Sequence, residues 1–309
     1  MISIYRTNET SGMMEKVNAI EPGTWIELTA PTQEELLSVR EILELEPGFL
    51  SAALDEEETS RVEHEDGQTL IIVDSPMLDE KAQEDKRVIY STIPLGIIVT
   101  EANIITVTLT ENPIIEALKT SRLNTAFRTR FVFTLLLRIA GRYNGYLRQI
   151  DRSINDIERR LYKQQRNKEL MQLLDMEKSL VYFSTSLKAN EITIDKLTRG
   201  RVVKLYEEDQ DLLEDVLIEI RQAIEMANIY SSILSSTMEA FSSVIDNNLN
   251  VNMKRLAGLT ILIEMPNIIY GFYGMNIGNL PMPTLWFTLA LSGGLTLITA
   301  LILLKFKLL

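Results

Sequence analysis

Asn250, Met253, Ala257, Thr260, Glu264, Asn267, Gly271 and Gly274 follow one another at steps of three and four residues. In a helix they share one face. That face holds a carboxylate, amides, a hydroxyl and small residues, whereas the other faces of the same stretch are mostly Ile, Leu, Met and aromatics. Oxygen donors of this kind suit a hard cation or its first-shell waters, above all when symmetry repeats them around an axis. Small and polar residues also hold helices together in lipid, and Thr260 and Gly271 alone fit that role equally well. Glu264 decides between the two, because a carboxylate at mid-depth is costly and normally faces water, a partner or an ion path. The face reads as pore-lining.

Two elements must position these groups. Leu256 to Tyr273 is eighteen residues with one charge, Glu264, and Leu285 to Leu304 is twenty residues with none. At ~1.5 Å per residue they extend roughly 27 and 30 Å, enough for a bilayer core of about 30 Å. Between them stands Tyr273-Gly274-Met275-Asn276: a tyrosine suited to the interface, a glycine that frees the backbone, and an asparagine amide oxygen. Pro281 and Pro283 follow in a loop without charge. Lys254 and Arg255 precede the first span and Lys305 and Lys307 follow the second, so the positive-inside rule places both termini in the cytoplasm and Asn276 outside. Trp286 is an interface anchor, and Gly293-Gly294 permits close packing of the second span on the first.

Gly274-Met275-Asn276 at the end of the first of two C-terminal spans resembles the signature of the CorA-type magnesium/divalent-cation transporter family. The resemblance covers the whole chain and is most specific from about Asp215 onward. It implies an α/β N-terminal cytoplasmic domain, long α-helices, a two-helix transmembrane hairpin and a funnel-shaped homopentamer. It also implies channel-like transport of Mg²⁺, with Co²⁺ or Ni²⁺ as competitors, in the cytoplasmic (inner) membrane of a bacterium. Counted from the signature without gaps, Asn250, Met253 and Leu256 fall on the family's inner pore, the last two on its hydrophobic gate. Gly274, Met275 and Asn276 form the selective outer mouth. Asp215 falls on the stalk aspartate that binds a regulatory Mg²⁺ between subunits, with Asp79 as its expected partner and Asp211 beside it. Glu264 departs from the pattern, since an apolar residue is usual there, and Pro266 sits one residue late. Copies of Glu264 around an axis would bind a cation strongly or share protons, which opens Mg²⁺ efflux, another divalent ion or proton-influenced transport as the alternative. The outer loop also lacks the acids that many relatives carry, leaving Asn276 and Gly274, with Asn279 assisting, as neutral ligands for a hydrated ion.

The expected organisation runs as follows: residues 1–112 an α/β domain, 113–200 a helical hairpin region, 201–255 a stalk helix, 256–273 the first span, 274–284 the external loop, 285–304 the second span and 305–309 a basic tail. In the first region, Thr24 to Leu28 reads as a strand and Thr32-Gln33-Glu34-Glu35 as a capping box for a helix to about Leu45. Asp66-Gly67 signals a hairpin before the strand Thr69 to Val73, and Leu95 to Val99 with Ile104 to Leu109 form a second hairpin in a mixed sheet. Phe127 to Ile139 is a buried segment whose thirteen residues include Arg128, Arg130 and Arg138, which exclude a span. Tyr143 to Gln165 and Lys168 to Thr198 form a charged antiparallel hairpin, and Gly200 marks a turn. From Glu207 to Tyr273 one rod of roughly 100 Å is expected. Leu213, Val216, Leu217, Ile220, Ile224, Ala227, Leu234, Met238, Phe241, Ile245 and Leu249 form its stripe for helix association.

Composition narrows the function. Residues 256–309 hold Glu264 against Lys305 and Lys307, so the net charge of −12 leaves −13 before residue 256, a poor surface for nucleic acid and a good one for cations. There is no cysteine and one histidine, His64, which reads as a surface residue, so thiolate metal sites and disulfides are excluded. Asp55-Glu56-Glu57-Glu58 reads as a solvated loop, and Glu207, Glu208, Asp211, Glu214 and Asp215 as acids gathered at a helix start. The polar first fifteen residues predict no cleaved signal peptide. No phosphate loop, nucleophile elbow or histidine metal motif suggests an enzyme. A membrane-anchored helical scaffold without transport is the rival of another class. The expected partners are divalent cations, membrane lipid and further copies of the chain.

Overall fold

The computed structural model describes the chain except residues 9, 80–88, 165–166, 199–205, 277, 279–280, 283 and 307–309. The turn expected at Gly200, Asn279 and Lys307 lie outside the described residues. Two compact units are formed, Met1–Thr237 and Met238–Leu309.

The first unit is built on a seven-stranded sheet in the order β2-β1-β3-β7-β6-β5-β4. Its strands are β1 (Ile2–Thr7), β2 (Met14–Val17), β3 (Trp25–Thr29), β4 (Arg61–Glu65), β5 (Gln68–Leu78), β6 (Tyr90–Val99) and β7 (Ile104–Thr108). All neighbours are antiparallel except β3 and β7, which makes the sheet mixed, as expected. The β4–β5 hairpin closes on Asp66 (φ 43°) and Gly67 (φ 78°), the two left-handed residues that a two-residue turn of matching twist requires.

The central strands are apolar on both faces because both are covered. Helices α1 (Gln33–Leu43) and α2 (Pro47–Ala52) close one side, where Val39, Phe49, Leu50 and Ala53 meet Ile26, Leu28, Leu70, Ile72, Ile98 and Val107. The Thr32 hydroxyl accepts from the Glu35 N–H at 3.3 Å and Glu35 accepts from the Thr32 N–H at 2.8 Å, completing the expected capping box. α1 ends at Leu43 rather than Leu45 because Glu44 turns left-handed (φ 48°) and Pro47 opens α2. On the other side pack α3 (Pro113–Lys119), α4 (Arg128–Gln164) and α5 (Asn167–Thr198), with Trp25 and Phe131 rings 5.1 Å apart. The apolar run Phe127 to Ile139 is not a separate segment. It opens α4, and Phe131, Val132, Phe133, Leu135, Leu136 and Ile139 are buried while Phe127 stays exposed.

Helix α6 runs from Glu207 to Tyr273, and α7 from Leu285 to Lys305. In the first unit the α6 stripe finds its partners inside the chain. Asn144 of α4 donates to Glu219 at 2.6 Å, Arg221 pairs with Glu191 of α5 at 2.8 Å, and Leu213, Val216, Ile220 and Ala227 are buried. Further along, Ile245 and Leu249 are exposed.

Candidate cation path in the apolar helices

Both α6 and α7 contain stretches long and apolar enough to cross a membrane. Within α6 the positions that lose exposure are Gly258, Leu262, Met265, Pro266, Ile269 and Tyr273; within α7 they are Phe287, Thr288, Leu291, Ser292, Thr296, Thr299, Ala300 and Leu303. Each set follows helical spacing, so each helix turns one stripe toward the other. The hairpin is fixed at its mouth, where the Tyr273 ring lies 6.4 Å from that of Phe287 and its hydroxyl donates to the Pro281 carbonyl at 3.1 Å.

At 100° per residue, Gly258, Leu262 and Ile269 lie roughly 160° around α6 from Thr260, Glu264 and Gly271. The stripe that meets α7 therefore lies away from the polar face, which stays exposed together with Leu259, Ile261, Ile263, Ile268 and Phe272. Asn250, Met253, Leu256, Thr260, Glu264, Asn267 and Gly271 are all exposed along it. The Thr260 hydroxyl donates to the Leu256 carbonyl at 2.9 Å, so its remaining lone pairs serve as an acceptor on that face.

α6 stops where Gly274 follows Tyr273. The Gly274 N–H still reaches the Tyr270 carbonyl at 2.8 Å, and a Cβ built on Gly274 would stand 3.0 Å from that same oxygen. A side chain there would push against the last turn, which is why the position after the span favours glycine. Met275 and Asn276 continue from it, exposed, beyond the helix end. Glu264 lies ten residues before Gly274, roughly 15 Å along the axis, so the carboxylate and the helix end are well separated on one face.

The expected regulatory residues lie elsewhere. Asp79 follows β5, its N–H donating to the Ile89 carbonyl at 2.9 Å, while Asp211 and Asp215 are exposed on α6. Among the described residues one chain gathers no group of three acids or histidines able to hold a metal. The acidic loop is a surface turn in which Asp55 accepts from the Glu57 N–H at 3.0 Å and Glu58 pairs with Arg61. His64 is exposed and its ring bonds the Thr69 hydroxyl at 2.9 Å.

Sequence reasoning missed a cavity of about 610 Å³ in the first unit, where His64, Glu101, Arg128, Arg130, Tyr206 and Asp209 meet. Burial pushes the Asp209 carboxyl up from its ordinary value, Arg130 opposing the shift. Only the run of acids at the start of α6 pointed there, and nothing in it marked Asp209 as the enclosed one.

A mixed-sheet domain followed by long helices and a terminal apolar hairpin, with an oxygen-bearing face left open, defines a membrane protein of the ion-transport class. Residues 22–307 match the family model of the CorA-like Mg²⁺ transporter protein, and the chain belongs to that family. It is 28% identical over 280 residues to the cobalt/magnesium transport protein CorA of Methanocaldococcus jannaschii, covering 86% of this chain and 85% of that protein. The complete structure of the CorA magnesium transporter from the same organism superposes with a TM-score of 0.80 at 24% identity, over 99% of this chain and 96% of that one. The full-length CmaX protein shares the fold at a TM-score of 0.71 and 16% identity, over 99% and 97%.

Proposed function

We propose that the chain assembles as a homopentamer around its α6 helices and conducts divalent cations, Mg²⁺ foremost, across the cytoplasmic membrane. The observation that carries this reading is the oxygen-bearing face of α6 in the span, which lies away from the stripe that meets α7, stays exposed, and leads to Gly274-Met275-Asn276. Hydrated Mg²⁺ holds its water reluctantly exchanged, and a ring of neutral amides at Asn276 with nearby carbonyls hydrogen-bonds to that water without removing it. The face then carries the ion past Gly271, Asn267, Glu264 and Thr260 toward Leu256 and Met253, whose apolar side chains close the path by excluding water. Co²⁺, which the archaeal relative's name includes, and Ni²⁺ are expected competitors.

Both termini lie in the cytoplasm in this reading, with Lys254, Arg255 and Lys305 at the inner end. Asp79, Asp211 and Asp215 sense cytoplasmic Mg²⁺ between neighbouring chains, which fits the absence of a complete metal-holding group in one chain among the described residues. Bridged acids hold the path shut; depletion leaves like charges that repel.

Purified protein in liposomes tests the core of the proposal. Asn276→Ala is expected to abolish Mg²⁺ influx, read with an entrapped indicator, while leaving the assembly intact by size-exclusion chromatography. Influx equal to that of the parent would remove Asn276 from the path.

A further inference from the structure

Glu264 is the only charged residue from Leu256 to Leu304. It lies mid-span, exposed, and has no hydrogen-bond or ion-pair partner among the described residues. No residue of the hairpin can neutralise it. α7 carries no charge through Leu304, and Arg255 is nine residues away, roughly 14 Å along the helix. An unpaired carboxylate in hydrocarbon is costly, which favours water and a counter-ion supplied along the face it occupies.

That face supplies oxygen and nothing softer at this depth. One turn toward the inner end is Thr260, whose proton is already committed to the Leu256 carbonyl, leaving the hydroxyl oxygen as an acceptor. One turn toward the outer mouth is the Asn267 amide. Threonine hydroxyl, carboxylate and amide oxygens are hard ligands that suit Mg²⁺, Ca²⁺ or Mn²⁺ rather than thiophilic metals.

We propose that Thr260, Glu264 and Asn267 of the assembled chains form an oxygen-lined divalent-cation site at mid-depth, in which Glu264 sets the charge selectivity of the path. The inference rests on the pore reading above and assigns a second station to it. The outer mouth has no charge and recognises a hydrated ion by hydrogen bonding, which distinguishes valence poorly. A ring of carboxylates in a low-dielectric surround favours two charges on one ion over one. The only other titratable side chains in the two spans are Tyr270 and Tyr273, with Lys254, Arg255 and Lys305 beyond the inner end; none of them is a second carboxylate.

The test uses the full chain in liposomes as wild type, Glu264→Gln, Glu264→Asp and Asn276→Ala. Mg²⁺ influx is measured across a range of Mg²⁺ concentrations, and Na⁺ influx is measured without divalents and then against added Mg²⁺. Glu264→Gln is expected to raise the half-saturating Mg²⁺ concentration at least tenfold and to require as much more Mg²⁺ to block Na⁺. Glu264→Asp, which keeps the charge, is expected to stay closer to the parent in both readings. Glu264→Gln with the parent's half-saturation and Na⁺ block, beside an inactive Asn276→Ala, overturns it while leaving the pore reading in place. Wild-type protein that passes no cation removes both. An active Asn276→Ala beside an altered Glu264→Gln upholds the mid-depth site and displaces only the outer one.

Discussion

Asn190 stands in for a missing strand residue. The β4–β5 register, Arg61 opposite Ile72, would place Thr59 opposite Asp74, but β4 begins only at Arg61. The N–H and carbonyl of Asp74 therefore lack a ladder partner on that side, and the Asn190 side chain supplies both. Its amide oxygen accepts from the Asp74 N–H and its amide nitrogen donates to the Asp74 carbonyl, each at 2.8 Å. The Ser60 hydroxyl also donates to Asn190, at 2.8 Å, and the Tyr143 hydroxyl to the Asp74 carbonyl, at 3.0 Å. On the opposite side of Asp74 sits Pro94, which has no N–H to offer and is tolerated because none is needed there. Removing Asn190 leaves the Asp74 N–H unpaired and its carbonyl with the Tyr143 hydroxyl alone, a loss of about 2 kcal/mol. Asn190→Ala is expected to lower the denaturant midpoint of the first unit accordingly; an unchanged midpoint would mean that water or a neighbour satisfies Asp74 as well. Nothing in the sequence announced this role. The partners are 116 residues apart, and Asn190 sits in a run of charges that reads only as a solvated helix.

At the level of elements, α2 lies on the sheet because Gly96 of β6 has no side chain. A Cβ at Gly96 would collide with that of Ala53, which is fully buried after the last turn of α2. Gly96→Ala is expected to destabilise by about 1–3 kcal/mol through overpacking, and Ala53→Gly in the same chain to recover part of the loss. Equilibrium unfolding of the two variants decides it, and destabilisation that Ala53→Gly does not relieve would locate the strain elsewhere. The contrast with the capping box and the Asp66-Gly67 hairpin explains what could be read in advance. Those signals are local, a few residues acting on their own backbone, and they were legible. So was the polar face of α6, because helical spacing alone assembles it. β1 and β2 were not delimited, since their polar alternation resembles a surface strand or a loop equally. α2 is six residues long, too short to show a period, and the parallel pairing of β3 with β7 joins segments nearly 80 residues apart. The start of α4 was missed because its apolar run and its charged continuation look like different elements, although one helix passes from under the sheet into solvent. Asp209 is legible only once α4 and α6 are known to meet at a cavity.

Across the whole molecule, charge is distributed by unit. Acids dominate before residue 256, bases stand before the first span and after the second, and the segment from Gly274 to Thr284 between the two apolar helices has no ionisable side chain. Under the proposed function, that last feature sets how quickly an ion is found rather than how well it is held. A mouth lined with carboxylates gathers cations by a long-range field, and added salt screens that field over a Debye length of about 10 Å at 0.1 M. This mouth has no such field to lose. Under the proposed function, Mg²⁺ influx well below saturation is expected to change less than about twofold between low and physiological ionic strength, where steered association falls steeply. A steep decline measured by stopped-flow on the liposomes would instead trace capture to charges away from the loop. Entry governed by diffusion alone makes the rate follow the bulk concentration of the ion, so the protein would work as fast in brine as in fresh water.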